Sequence, residues 1–316
     1  MAEKLHISSG PHIHTKNTVQ KIMLDVVIAL LPATAAGIYY FGLPALYIIL
    51  ACVISSVASE FLFNLIAKKE QSVGDLSAVV TGLLLALNLS SNVPVWQAVV
   101  GSVFAIIIVK CFFGGMGCNI VNPAMAARVF MFLAFGSMAK YAMPRGMNLD
   151  AVSSATPLSQ IAEGNIPNLF DLFIGKNGGA IGETCVLALI IGGVYLVIKR
   201  VITVHIPLAY IGTVFAFTYF VSGMDLQFAT AQILSGGLFI GAIFMATDYV
   251  TSPATPFGKI IFGIFAGVIT VMIRLWGAYP EGVSFAILLA NIINPYIDIW
   301  TARRVFGSKR FGGEKA

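Results

Sequence analysis

Ten apolar stretches follow one another along this 316-residue chain, at 22–41, 43–67, 76–91, 94–113, 121–138, 183–200, 205–222, 232–248, 258–277 and 283–301. An α-helix needs about 20 mostly apolar residues to cross a hydrocarbon core, and most of these stretches come close. With 58% hydrophobic and 10% charged residues, the chain lies far from soluble domains, which carry about 25% charged residues. A soluble enzyme and a disordered chain are both excluded. The four cysteines are scattered and make no disulfide framework, and the alternation of outer-membrane strands is missing from the sequence. The predicted fold class is an all-α polytopic membrane protein with about ten transmembrane helices. The first twenty residues hold Lys4, His6, His12, His14 and Lys16 without an apolar core, so no cleavable signal peptide is expected there.

Lysine and arginine orient the chain. With a cytoplasmic N-terminus, fourteen of the nineteen fall on the cytoplasmic side and only Lys140, Arg145 and Lys176 outside, while Arg128 and Arg274 lie within stretches. This bias predicts an even number of spans with both termini cytoplasmic. The net charge of +5 suits basic ends against an anionic inner leaflet and calls for no nucleic-acid partner. The chain divides into a cytoplasmic arm (1–21), a first set of five helices (22–138), an external loop (139–182), a second set (183–301) and a basic cytoplasmic tail (302–316). The external loop is the only long connection, and long connections are often functional.

The two sets share short elements. Asn119-Ile120-Val121-Asn122-Pro123 opens the fifth stretch, and Asn291-Ile292-Ile293-Asn294-Pro295 lies in the tenth. Thr81-Gly82-Leu83 in the third stretch is echoed by Gly236-Gly237-Leu238 in the eighth. Five helices per set is odd, so the second copy enters from the opposite face. The expectation is an inverted repeat with broken helices, and ligands bind where such repeats meet. The third stretch ends in the polar run 88–92 and the fifth carries Pro123 and Arg128, so these two are the candidates for breaks.

Several side chains bear on chemistry. Ser153-Ser154-Ala155-Thr156, ahead of Pro157 in the external loop, reads as a small-residue turn. A threonine hydroxyl there is also open to esterification, and nearby amides could cradle a phosphate. Asp25, Glu60, Lys110, Arg128, Asp248 and Arg274 lie in or at the ends of stretches; such groups usually face a partner or a wet cavity. For Asp25 and Lys110, snorkelling at span ends is expected. Arg128, one turn beyond Pro123, is placed to pair with a carboxylate or a cofactor oxygen. Asp248 reads either as a cofactor contact or ion ligand or as a helix-end charge, with Thr251 or Ser252 capping the next segment. Gly114, Gly115 and Gly117 lack the context of a nucleotide loop and suit a re-entrant turn or close packing. Without a C-x-x-C, no iron–sulfur cluster is expected on this chain; the cysteines read as buried thiols. The N-terminal histidines, on a basic arm without a carboxylate cluster, suggest no metal site.

Taken in order, a set of motifs resembles the family of membrane subunits that includes the D subunit of the Rnf complex, an ion-translocating ferredoxin:NAD oxidoreductase, and the B subunit of the sodium-pumping NADH:quinone reductase. They are Ser9-Gly10-Pro11-His12-Ile13, Ile22-Met23-Leu24-Asp25-Val26, Gly115-Met116-Gly117-Cys118-Asn119 with Asn122-Pro123-Ala124, Ser153 to Leu158, and Met245 to Pro253. The resemblance spans nearly the whole chain, and the short N-terminus sides with the Rnf member of the family. It implies FMN carried on Thr156 through a phosphoester, attached by a separate flavin transferase, with Ser153, Ser154 and Ala155 around it. The usual flavinylation pattern has glycine where Ser154 stands. The resemblance further implies a non-covalent riboflavin, other Rnf subunits as partners, and a bacterial inner-membrane location with the flavin loop on the outer face.

Two functions compete. One is an electron-transfer subunit that couples redox change to Na⁺ or H⁺ movement. Moving a charge costs about 2.3 kcal/mol per 100 mV, and about 30 mV on a two-electron couple supplies 1.4 kcal/mol, so a drop of a few hundred millivolts suffices for an ion or two. The other is a non-redox channel or secondary transporter with a 5+5 inverted-repeat fold. Fold analogy does not separate them; the external Ser-Ser-Ala-Thr does, because a channel has no use for it. The chain lacks an NAD fingerprint and cluster motifs, so it is not expected to be active alone. The coupling ion leaves no residue-type signature.

Overall fold

The computed structural model describes residues 18–136, 141–145, 156–277 and 281–302. Most of the N-terminal arm, with its histidines and the Ser9–Ile13 motif, lies outside the described residues, as do Ser153, Ser154, Ala155 and the tail from 303 onward. The described chain is helical. Its elements are α1 (Val19–Phe41), α2 (Leu43–Ile66), α3 (Ser77–Leu87), α4 (Val95–Cys111), α5 (Pro123–Ala134), α6 (Pro157–Ala162), α7 (Leu169–Ile174), α8 (Val186–Ile198), α9 (His205–Val221), α10 (Leu226–Leu234), α11 (Leu238–Met245), α12 (Pro256–Trp276) and α13 (Val283–Thr301). Each of the ten predicted stretches contains a helix.

Length separates these helices into two kinds. α1, α2, α12 and α13 are each long and apolar enough to cross a membrane, and the bent pair α10–α11 makes a fifth candidate. The others are shorter, and the reasons are local. α3 stops at Leu87, where the polar run 88–92 begins. α5 starts only at Pro123, with Asn122 as its cap: the Asn122 Oδ1 accepts from the amides of Ala124 and Met125 at 3.0 and 3.3 Å. The predicted stretch 232–248 is broken: α10 and α11 meet at Ser235-Gly236-Gly237 with a 63° bend, and Gly236 takes φ +68°, which favours glycine. The long connection expected from sequence to be external carries α6 and α7. Two stretches widen to π-helix, Phe104–Cys111 at the end of α4 and Gly241–Met245 at the end of α11. Such widenings are frequent at functional sites.

The main apolar core runs through the bundle, from Leu30 in α1 and Ile48 in α2 to Tyr210 in α9 and Phe262 in α12. α2 packs on α3 and α4, α9 packs on α10 and α12, and α1 lies against α8. Small residues let the backbones approach, as in membrane interfaces generally. A Cβ at Gly263 of α12 would meet Ala209 Cβ at 2.8 Å, and one at Gly267 would meet Thr213 Cβ at 2.7 Å. The outer faces are apolar: Leu31, Ile54, Leu208, Phe220 and Ile292 are all more than half exposed. So large an apolar surface marks contact with lipid or protein. Exposed Tyr39, Tyr47, Trp96 and Trp276 lie toward one set of helix ends, and Phe257 and Trp300 toward the other, as interfacial aromatic belts do.

Gly263→Val should lower the melting temperature of the detergent-solubilised protein, because overpacking costs about 1–3 kcal/mol. Gly212→Val, where an added Cβ meets nothing within 4 Å, is the control and should melt with the wild type. Equal melting of the two variants would remove the close α9–α12 contact as a source of stability.

Candidate functional site

Thr156 stands at the head of α6. Pro157 follows at the first helical position, where its missing amide costs nothing. The Thr156 Oγ1 accepts from the Ser159 amide at 3.3 Å, and Ser159 Oγ donates to the Thr156 carbonyl at 2.8 Å. α6 does not hang free. Ile161 packs with Leu172 of α7 and Ala231 of α10 in a small buried cluster. Leu158 lies over the α10–α11 break: a Cβ at Gly236 would sit 2.7 Å from Leu158 Cδ1 and 3.2 Å from Arg274 Nη2. The hydroxyl of Thr156 fits the role of a phosphoester anchor. Esterification removes only its proton, and the oxygen keeps a lone pair for the Ser159 amide. Thr156 is 7% exposed, so its side chain is sheltered where α6 docks.

Near this point α3 and α10 end close to a pair of arginines. Arg128 of α5 donates to the Asn88 carbonyl just past the end of α3 and pairs with Glu281, which precedes α13. Arg274 of α12 donates to the Gln232 carbonyl at 2.6 Å and the Ser235 carbonyl at 3.1 Å, at the end of α10. Cations are favoured at helix C-termini, where carbonyls lack amide partners. Arg128 therefore meets a carboxylate, as one of its two expected partners, and it is not near the inner cavity described below. Glu183, in the turn before α8, approaches the same centre and accepts from the Ala180 amide at 2.9 Å. Burial, then the neighbouring Glu281, raises its carboxyl above the usual carboxylate range, against the lowering effect of Arg128.

A second site opens at the other ends of the helices. A cavity of about 420 Å³ is lined by Val26, Leu84, Met116, Asn119, Phe244 and Asp248, among others. Its walls are mostly apolar with a few polar groups, as in ligand sites of 300–1,000 Å³. Asp248 accepts from the Thr251 hydroxyl at 3.1 Å. The cap of α12 is Thr255, whose Oγ1 accepts from the Gly258 amide at 3.0 Å, so neither Thr251 nor Ser252 caps that helix. The glycine run serves a turn: Gly115 and Gly117 take φ +101° and +88°, and nothing lies close to either.

Lys110 does not snorkel. It is buried and pairs with Glu60 at 2.9 Å while donating to Ser77 Oγ. Glu60 also accepts from Ser72. Near the end of its helix, this lysine meets a carboxylate inside the bundle. Asp25 accepts from Tyr195 of α8 at 2.7 Å. Cys52 and Cys111 are buried as expected, but Cys118 is exposed. The two repeated Asn-Pro motifs touch: with the Asn291 side-chain amide turned to the orientation that satisfies both of its ends, its oxygen accepts from the Asn122 backbone at 3.1 Å and its nitrogen donates to the Thr251 carbonyl at 3.2 Å. Asn122 Nδ2 in turn donates to the Met245 carbonyl at the end of α11.

With this geometry in view, the comparisons decide the family. The model of the NQR2, RnfD, RnfE family matches residues 6–307. The chain belongs to this family. It is 49% identical over 310 residues to the D subunit of the Na⁺-translocating ferredoxin:NAD⁺ oxidoreductase complex of Acetobacterium woodii, covering 96% of this chain and 95% of that one. It is 39% identical to the D subunit of the proton-translocating ferredoxin:NAD⁺ oxidoreductase complex of Clostridium ljungdahlii, with 96% of each covered. It is 38% identical to the D subunit of the ion-translocating oxidoreductase complex of Stutzerimonas stutzeri, with 94% of each covered. These relatives are subunits of oxidoreductase complexes, in keeping with the resemblance read from the motifs. Sequence reasoning missed Asn88, Glu183 and Glu281 as members of the polar centre. A signal for the two glutamates existed: Glu183 opens the sixth apolar stretch and Glu281 stands two residues before the tenth.

Removing one partner of a buried ion pair costs about 3–5 kcal/mol, whereas replacing both with apolar residues costs far less. Arg128→Met should therefore lower the melting temperature sharply, and Arg128→Met with Glu281→Met should recover much of the loss. A double variant as unstable as the sum of the two single ones would show that the pair does not couple.

Proposed function

We propose that this chain is the D subunit of an ion-translocating ferredoxin:NAD oxidoreductase and that it carries FMN on Thr156. The observation that carries this reading is the full-length likeness to such subunits, at 49% identity to one of them. It favours the redox function over the transport-only alternative. The position of Thr156 supports the anchor: its oxygen faces the Ser159 amide, on a turn docked against the α10–α11 break. Flavin supplies single-electron transfer, and the protein sets its place and potential. This chain's own task on the outer side is to fix α6 through Ile161 and Leu158 and so hold the phosphate end of the cofactor. The hydroxyl is sheltered when α6 is docked, so a separate transferase acts before the loop settles.

The inner cavity is the place for a second, non-covalent flavin. Its volume and apolar walls suit a flat ring system, and Asn119 and Asp248 offer polar contacts at its edge. The packing supports two inverted sets of five helices. α2 with α3 and α4 has its counterpart in α9 with α10 and α12, and the repeated Asn-Pro motifs meet through Asn291 and Asn122. On this reading the membrane is the bacterial inner membrane, the termini are cytoplasmic, and α6 lies on the outer face. The bare apolar flanks of the long helices would accept lipid and the other Rnf subunits.

The test is in-gel flavin fluorescence of the denatured chain co-expressed with a flavin transferase. Wild type should fluoresce, with a mass gain of FMN minus water on the peptide holding Thr156. Thr156→Val should be dark yet still assemble. Fluorescence that persists in Thr156→Val would place the anchor elsewhere, and a dark wild type would reject covalent attachment.

A further inference from the structure

Among the described residues, Lys110 and Asp248 are the charged side chains that line the inner cavity. From Lys110 a line of hydrogen bonds runs on toward the surface. Its Nζ donates to Glu60 Oε1 at 2.9 Å and to Ser77 Oγ at 2.6 Å. Ser77, the first residue of α3, also lines the cavity, and its hydroxyl donates to Asp75 Oδ1. Lys110, Glu60 and Ser77 are buried. Asp75 is only partly so, and it stands in the α2–α3 connection, whose residues 67–71 are exposed. Asp75, Ser77 and Lys110 thus link the outside of the bundle to the cavity wall without a gap. The Lys110–Glu60 pair alone would satisfy both buried charges, so the link through Ser77 is an addition to it.

The charges around the cavity say what such a link can do. Around Lys110 are Glu60 of α2, Asp75 beyond Ser77, Asp248 on the cavity wall, and Cys111 and Lys69 toward the α2–α3 connection. Carboxylates outnumber the buried cation, and Lys69 is exposed, where solvent screens it. An electron arriving in the cavity adds one more negative charge to a mostly apolar, low-dielectric space. A proton taken up with the electron cancels that charge. An ammonium has three N–H donors. Two go to Glu60 and Ser77, which leaves the third for a group in the cavity.

We propose that Asp75, Ser77 and Lys110 form a proton relay from the surface to the ring system held in the inner cavity. The relay rests on the non-covalent flavin proposed for that cavity above. For each electron that enters the cavity from the oxidoreductase complex, Lys110 Nζ gives one proton to the ring. Ser77 Oγ passes its proton to Lys110, Asp75 passes one to Ser77, and Asp75 takes its own from solvent. The Ser77 hydroxyl rotates freely enough to turn from Asp75 to Lys110. The cavity gains one electron and one proton, and the three side chains return to their starting state. While Lys110 lacks its proton, Glu60 is a buried charge without a partner, a costly state that draws the next proton in. Lys110 acts on the ring directly; Ser77 and Asp75 act through Lys110.

The experiment uses the whole chain in detergent, made without a flavin transferase so that only non-covalent flavin is present. Flavin released on denaturation is counted first. Photoreduced methyl viologen then supplies electrons, absorbance follows reduction of the ring, and a pH-sensitive dye follows proton uptake. In wild type, proton uptake should keep pace with reduction. Asp75→Asn keeps an oxygen for the Ser77 amide, which Asp75 Oδ1 now accepts at 2.7 Å. It should bind as much flavin as wild type but take up protons about 10²-fold more slowly, the low end of what a positioned proton carrier contributes. Asp75→Glu should run at the wild-type rate, and formate, a small diffusible acid, should restore Asp75→Asn. Ser77→Ala should be slow and stay slow with formate, because its break lies inside the relay. Wild-type proton uptake in Asp75→Asn with flavin bound would overturn the relay and leave the cavity flavin standing. Slowing that neither Asp75→Glu nor formate repairs would mark a structural role and overturn it too. A wild-type chain that releases no flavin would overturn the cavity reading and the relay with it.

Discussion

Backbone carbonyls left over at broken helices govern this molecule. In an apolar medium each unsatisfied carbonyl costs several kcal/mol, so a helix that stops inside the bundle must be met by a donor. Two arginines supply that donor. Arg128 reaches the end of α3 and Arg274 the end of α10. Each guanidinium offers several planar N–H groups, so one side chain can serve both backbone and carboxylate. The glutamates, the small cavity and the glycines at the break all follow from bringing these two charges into the bundle.

The arrangement gives the protein two distinct ends. One has the apolar cavity ringed by α1, α3, α11 and the turn of Gly115 and Gly117. The other has Thr156 on its short helix, clamped against α10. The polar centre lies nearer the second, since Leu158 and Arg274 both approach Gly236. An electron carrier anchored at Thr156 would share a neighbourhood with the arginine that ends α10. A change of charge on the carrier would be felt at that guanidinium through the low-dielectric protein between them.

Much of the architecture is legible in the residues. Hydropathy locates a helix in every predicted stretch, and the polar run after Leu87 and the Asn122-Pro123 pair foretell the shortened α3 and α5. Local chemistry sets those boundaries, so a local reading finds them. Partners distant in sequence are not legible. Helix position alone assigns Lys110 to the membrane surface, because Glu60 is fifty residues away. Glu183 escapes notice because it stands in a turn, and only the fold carries it beneath Gly237. Thr255, not Thr251, caps α12 because the helix starts at Pro256, directly after it, while the Thr251 hydroxyl goes to Asp248. The external loop gains α6 and α7 from Thr156-Pro157 and Asn168, both helix-starting signals too short to register as periodicity.

The π-helical end of α4 has a geometrical consequence. A helix that widens over Phe104–Cys111 no longer advances its side chains at the α-helical rate of roughly 100° per residue. Azimuth, which sequence spacing normally dictates, becomes adjustable over those residues. Lys110 lies near the end of the widened segment, and its ammonium meets Glu60 rather than lipid. Had α4 kept its ordinary pitch to Cys111, the same sequence would have aimed this lysine in another direction. The slack in this stretch of backbone thus sets the direction in which a positive charge leaves its helix.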